Sequence, residues 1–152
     1  PSIEIKKTLW VNFHPAPLPE YGGRNVAYHA IMNNERRFGG TIHYMDKTFD
    51  TGNIVEVYYF EINESDTAYD IYTRSCDVLL KLFKKYVPLF LSGQEISGTA
   101  QSNHKYYKKS NIDDFIQISD ELKKEIKAKT YPPFYPKIRI GEKVYKLVTE
   151  NE

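Results

Sequence analysis

Three prolines at alternate positions, Pro15, Pro17 and Pro19, follow directly on the run Thr8-Leu9-Trp10-Val11-Asn12-Phe13-His14. A short run of apolar, β-branched and aromatic residues predicts a buried strand. Proline has no backbone N–H and cannot extend a ladder, so that strand must stop at His14. Asn12 and His14, two apart, then face one side of the strand at its carboxyl end. Tyr21-Gly22-Gly23 reads as a turn.

The rest of the chain alternates in kind. Residues 25–35 predict a helix, with Val26, Ala30 and Ile31 at helical spacing. Gly39-Gly40 punctuates, and Thr41 to Met45 predicts a second strand. Asp46 to Gly52 is a polar loop, and residues 54–62 predict a third strand. A long helix is expected over about 66–91, with Ser65, Asp66 and Thr67 as capping side chains. Its stripe holds Ala68, Ile71, Tyr72, Leu79, Leu82, Phe83, Tyr86 and Phe90; Pro88 bends its last turn and Gly93 stops it. Ser119 caps a shorter helix over 119–129, with Asp120 and Glu121 in its first turn and Lys127 and Lys129 in its last, as the helix dipole favours. Tyr131-Pro132-Pro133-Phe134-Tyr135-Pro136 reads as a rigid, extended segment. Lys137 to Val148 predicts a hairpin turning at Gly141-Glu142. A lone hairpin is marginal in water, so this one needs a surface to pack on.

Composition narrows the function classes. The 152 residues suit one folding unit able to bury a core. A net charge of +1 argues against nonspecific nucleic-acid binding. The charge is uneven: residues 1–80 carry 7 basic and 11 acidic side chains, residues 81–152 carry 14 and 9. The basic half suits an anionic ligand such as a nucleotide diphosphate, or is a set of solvated helix faces. One cysteine, Cys76, cannot make an internal disulfide, which favours a reducing, cytoplasmic home; its apolar helical setting places it in the core. No stretch nears the ~18 apolar residues of a membrane span, and no secretory leader heads the sequence. Four histidines without cysteine or paired ligand spacing give no case for a metal.

Asn12 and His14 carry the chemistry. Ligand sites in α/β sheets lie outside the carboxyl ends of strands. There an imidazole can take a proton from an attacking amine, and an amide N–H can donate to the oxygen that becomes negative in acyl transfer. Taken without further context, the pair better suits a satisfied structural histidine. His29 reads as a surface residue and His104 as part of a polar loop, although His104 also suits contact with a substrate phosphate or base.

The stretch Asn12-Phe13-His14-Pro15-Ala16-Pro17-Leu18-Pro19-Glu20-Tyr21-Gly22-Gly23 resembles the signature of the formyltransferases that use N10-formyltetrahydrofolate. That family includes glycinamide ribonucleotide, methionyl-tRNA and nucleotide-sugar formyltransferases. Its pattern is Asn-x-His-Pro, a small residue, a Leu-Pro run, then Tyr and Gly. Thr41-Ile42-His43-Tyr44-Met45-Asp46, leading into Phe49-Asp50-Thr51-Gly52-Asn53-Ile54, resembles its second motif, an Asp-x-Gly-x-Ile element seven residues after a strand histidine. The resemblance covers roughly residues 8–91. It implies that Asn12, His14 and Asp50 are catalytic: His14 as base, Asn12 on the oxyanion, Asp50 supporting the imidazolium. It implies folate contacts from His43, Asp46, Phe49, Thr51 and Gly52, with a structural role for His43 equally open.

The family fold it implies is α/β, a mixed sheet, here with a terminal β-hairpin and without the amino-terminal Rossmann-like half that frames the folate site. An unpaired apolar sheet edge would follow from that absence. The resemblance divides the chain into a catalytic half, 1–95, and an extension, 96–152. Lys129 to Phe134 and the following hairpin look like the tail of nucleotide-sugar N-formyltransferases, in several of which that hairpin makes a homodimer. The expected reaction is therefore formyl transfer to the amine of a nucleotide-linked amino sugar by a cytoplasmic homodimer joined through Lys137–Val148. The rivals are a methionyl-tRNA or glycinamide ribonucleotide formyltransferase, and an inactive fragment or interaction module that keeps the fold.

Overall fold

The computed structural model describes residues 9–109 and 116–148. The fold is α/β, in the order β1 (Val11–His14), β2 (Gly22–Gly23), α1 (Val26–Met32), β3 (Arg37–Tyr44), β4 (Ile54–Glu61), α2 (Ala68–Leu91), β5 (Tyr106–Tyr107), α3 (Asp120–Lys129), β6 (Lys137–Ile140) and β7 (Lys143–Lys146). It divides into two compact units, residues 1–110 and 111–152.

The first unit is built on an antiparallel sheet of order β1-β3-β4. The period-2 alternation of a strand gives this sheet two unlike faces. Phe13 lies opposite Ile42, while Asn12 and His14 lie opposite His43 and Thr41. Ile42 joins Val78, Leu82 and Tyr86 of α2 in one core cluster, against which Phe13 packs. So α2 covers one face, and the polar residues of β1 and β3 share the other. A second cluster, with Ala16, Tyr21, Val26, Ala30, Phe38 and Ile71, ties the proline segment and α1 to the start of β3. Thr41 seals that join: its hydroxyl donates to the Ala16 carbonyl at 2.7 Å and accepts from the Leu18 N–H at 3.0 Å.

Several elements differ from expectation. The strand predicted from Thr8 begins at Val11; Thr8 lies outside the described residues, and Leu9 and Trp10 are exposed ahead of the strand. Gly39 and Gly40 do not punctuate but lie inside β3. A Cβ on Gly39 would sit 2.3 Å from the Tyr58 carbonyl oxygen, and one on Gly40 2.9 Å from Leu79 Cδ2. Close packing against β4 and α2 therefore keeps these residues bare. Helix α1 is shorter than 25–35 because Asn25 before it and Asn34 beyond it adopt left-handed backbone, at φ 54° and 56°.

Helix α2 is nucleated by a reciprocal cap. Thr67 accepts from the Asp70 N–H, and Asp70 accepts from the Thr67 N–H. Thr67→Ala is expected to lower stability by about 1 kcal/mol, read from chemical denaturation. The buried face of α2 runs Ile71, Ser75, Val78, Leu82 and Tyr86. That phase corrects the expected stripe at two places, and the expected burial of Cys76 as well. Ser75, not Cys76, takes the inward position, so Cys76 is exposed, and Tyr72 and Phe83 are half exposed. Ser75 tolerates burial because its hydroxyl donates to the Ile71 carbonyl at 2.9 Å. No described helix is long and apolar enough to cross a membrane.

The second unit holds α3 and the hairpin. Ser119 caps α3 by accepting from the Leu122 N–H. Residues 131–134 are not extended but form a tight turn, closed by hydrogen bonds from Tyr131 N to the Phe134 carbonyl and from Phe134 N to the Tyr131 carbonyl. The two prolines between them have no N–H to place, so the turn leaves no donor unpaired there. Strands β6 and β7 pair with Ile138 opposite Tyr145, and Gly141 has φ 55° in the turn.

Candidate active site

Four side chains converge on the polar face of the sheet. β1 delivers Asn12 and His14, β3 delivers His43, and the loop before β4 delivers Asp50. His14 is 6% exposed and His43 2% exposed. The His14 Nδ1 lies 3.6 Å from Asp50 Oδ1, and His43 Nε2 lies 3.9 Å from the same oxygen.

Partner chemistry fixes both ring tautomers. His14 Nε2 is 2.7 Å from the Tyr21 carbonyl, which only accepts, so Nε2 carries the proton. The lone pair of neutral His14 is then on Nδ1, the nitrogen nearer Asp50. His43 Nδ1 is 2.8 Å from the Tyr44 carbonyl and donates to it. His43 Nε2 therefore accepts from Asn12 Nδ2 at 3.1 Å. This bond orients the Asn12 amide and leaves its second N–H to point elsewhere.

Burial pushes the pKa of His43 down, against opposing pulls from the Tyr44 carbonyl and the Asp50 carboxylate. The unfolded chain then takes up the proton first, so stability is full above about pH 6.5 and falls as pH drops below it. Thermal unfolding is expected to shift to lower temperature between about pH 7 and pH 5, and His43→Gln should show a shallower slope over that range.

Asp50 is held at both ends. Its Oδ2 accepts from the Gly23 N–H at 2.9 Å, and its backbone is left-handed, with φ 60°. Gly52 packs on β3 so closely that a Cβ would lie 1.8 Å from the Tyr44 carbonyl oxygen. Of the other loop residues, Asp46 accepts from the Lys47 N–H at 2.6 Å, Thr51 donates to the Thr48 carbonyl at 3.2 Å, and Phe49 is 82% exposed.

The Tyr21–Gly23 segment thus serves two of the four groups, through the Tyr21 carbonyl and the Gly23 N–H. It is pinned by β5, which pairs parallel with β2. Tyr107 is sandwiched between Tyr21, at 5.2 Å, and His29, at 4.2 Å between ring centroids. His29 is therefore half-buried in an aromatic stack rather than at the surface. His104 is half-buried too, its Nε2 inaccessible and packed against Gly22. Sequence reasoning missed Tyr107 and Gln101, which reach the site from far along the chain and carry no local pattern. Among the described residues no cluster of His, Cys, Asp and Glu suits a metal ion.

A buried imidazole with a committed Nε2 proton, a carboxylate beside its other nitrogen, and an oriented amide on the same strand form a constellation for acyl transfer to an amine. The formyl transferase family profile matches residues 3–87, more than half of the chain. The chain belongs to the formyl transferase family. It is 31% identical over 151 residues to the GDP-perosamine N-formyltransferase of Brucella melitensis biotype 1, a match covering 94% of this chain and 57% of that protein. It is 30% identical over 135 residues to the bifunctional polymyxin resistance protein ArnA of Wigglesworthia glossinidia brevipalpis, covering 86% of this chain and 21% of that one. Among solved structures it resembles the N-formyltransferase of Helicobacter canadensis in complex with folinic acid and dTDP-3-aminofucose, with 34% identity and a TM-score of 0.66, over 71% of this chain and 41% of that one. The chain thus spans little more than half of the Brucella relative and less of the other two.

Proposed function

We propose that this protein transfers a formyl group from N10-formyltetrahydrofolate to the amine of a nucleotide-linked amino sugar. The observation that carries the reading is the geometry of His14, with Nε2–H given to the Tyr21 carbonyl and Nδ1 facing Asp50 at 3.6 Å. His14 Nδ1 takes the proton of the attacking amine. Asp50 stabilises the imidazolium that results. Asn12, held by His43, donates its second amide N–H to the formyl oxygen as charge builds there. When bound, the folate supplies a one-carbon unit already activated for acyl transfer. The loop Asp46–Gly52 suits it: Phe49 is exposed, and exposed Trp10 joins the loop's start through its carbonyl, which accepts from Met45 N. Such rings offer the flat apolar faces that a bicyclic heteroaromatic takes.

The acceptor is inferred from the relatives named above and from the basic balance of residues 81–152. The test is to incubate the purified protein with the folate and a panel of GDP-, dTDP- and UDP-linked amino sugars, beside methionyl-tRNA and glycinamide ribonucleotide. Mass spectrometry should find one formyl group on an amino sugar. Formylation of the tRNA or the ribonucleotide instead would replace the acceptor, and no product with any acceptor would overturn the reading.

The same reading includes a cytoplasmic homodimer joined through Lys137–Val148. Its support is exposed apolar side chains on both faces of the hairpin: Ile140 is 55% and Tyr145 38% exposed on one face, Val144 51% on the other. Sedimentation of Val144→Asp should show monomer where the parent shows dimer; a monomeric parent would remove the proposal.

A further inference from the structure

We infer that Gln101 is a positioning residue for the proposed reaction, holding Asp50 in the backbone conformation that turns its carboxylate toward His14. This rests on the assignment of Asp50 to the chemistry above. Non-glycine residues rarely adopt the left-handed region, and they stay there only when the surroundings hold them. Asp50 is such a residue, at φ 60°. Gln101 supplies the hold. Its Nε2 donates to the Asp50 carbonyl at 2.8 Å and to the Gly52 carbonyl at 2.7 Å. Both hydrogens of the amide are spent on one loop.

The orientation of this amide is not arbitrary. Turning it over would set its oxygen against two carbonyl oxygens. The orientation seen leaves Gln101 Oε1 buried and, among the described residues, unpartnered. A side chain that serves only packing has no reason to accept that penalty. The backbone beneath it is also secured. Thr99 exchanges hydrogen bonds with Ile54 at the start of β4, 2.8 Å in one direction and 2.7 Å in the other. Gln101, two residues on, therefore spans from the edge of the sheet to the loop that carries Asp50. Gly52 completes the clamp from the other side, against the Tyr44 carbonyl. Released, Asp50 would relax from the left-handed region, and its Oδ2 would leave the Gly23 N–H.

That N–H provides a readout that needs no turnover. In Gln101→Glu, of nearly the same volume but without the two donors, the Gly23 amide should exchange with solvent at least ~10-fold faster, as it should in Asp50→Ala, while amides of β3 stay protected. The value of kcat should fall by roughly 10- to 100-fold with a smaller change in KM. Gln101→Leu removes the donors without adding charge and should behave alike. If Gly23 protection is unchanged in both variants, or if β3 loses protection together with Gly23, Gln101 acts as packing only and the inference fails. Lost Gly23 protection in a protein that formylates no amino sugar would uphold the positioning role and reject the proposed reaction instead.

Discussion

His14→Ala is expected to lower the rate of the proposed formyl transfer by about 100- to 10,000-fold, the usual contribution of a positioned general base. The expectation follows from how the ring is held. Its Nε2–H is spent on the Tyr21 carbonyl, so Nδ1 is the basic atom, and Asp50 stands beside the proton it gains. No other described side chain duplicates this: His43 accepts from Asn12 and donates to the Tyr44 carbonyl, so neither of its nitrogens is available to an amine. Initial rates with a nucleotide-linked amino sugar, on protein whose circular dichroism matches the parent, make the comparison. An unchanged rate would remove His14 from the chemistry.

Phe38→Ala should cost about 3–5 kcal/mol, a large part of the roughly 5–15 kcal/mol that holds a domain folded. Phe38 is 0% exposed and meets Tyr21 edge-on, with 5.4 Å between ring centroids, and Phe60 at 6.3 Å. Deleting the ring leaves a cavity that three separate segments line, so no single loop can collapse into it. The loss also reaches the site, because Tyr21 supplies the carbonyl that fixes the His14 tautomer. Urea denaturation followed by fluorescence of Trp10 and by far-ultraviolet dichroism would measure it. A cost below about 1 kcal/mol would mean that the surroundings close over the gap.

What was legible in the sequence was what repeats at short range. The alternation of Asn12, Phe13 and His14 gave the strand and its two faces, and Thr67 and Ser119 marked helix starts that the structure places at Ala68 and Asp120. The turn at Gly141 was read from its glycine, and φ 55° agrees. What failed depended on neighbours distant in sequence. Gly39 and Gly40 read as a break because their reason for being bare, the approach of β4 and α2, is tertiary. Cys76 and Ser75 differ by one step around a helix, and hydrophobicity favoured the wrong one. The turn at Tyr131–Phe134 rests on two backbone bonds that proline content alone read as extension. At the site, Asn12, His14 and Asp50 were named through the family resemblance, and the structure brings them together. The roles of Gln101 and Tyr107 come from contacts across 51 and 74 residues, on Asp50 and on Asn33.

Asn12 and His43 are direct partners across the β1–β3 pairing. The aim of the amide is therefore set by strand alignment and not by the connection between the strands. The turn after α1 has a separate task, since Asn33 donates to the Tyr21 and Tyr107 hydroxyls and Glu35 accepts from Tyr21. Within Val11–His14 and Thr41–Tyr44 a single inserted or deleted residue would exchange the two faces, sending Phe13 toward the polar side and Asn12 and His14 toward α2. Homologues should accordingly show no indels in either strand, a pattern open to selection experiments with insertion libraries.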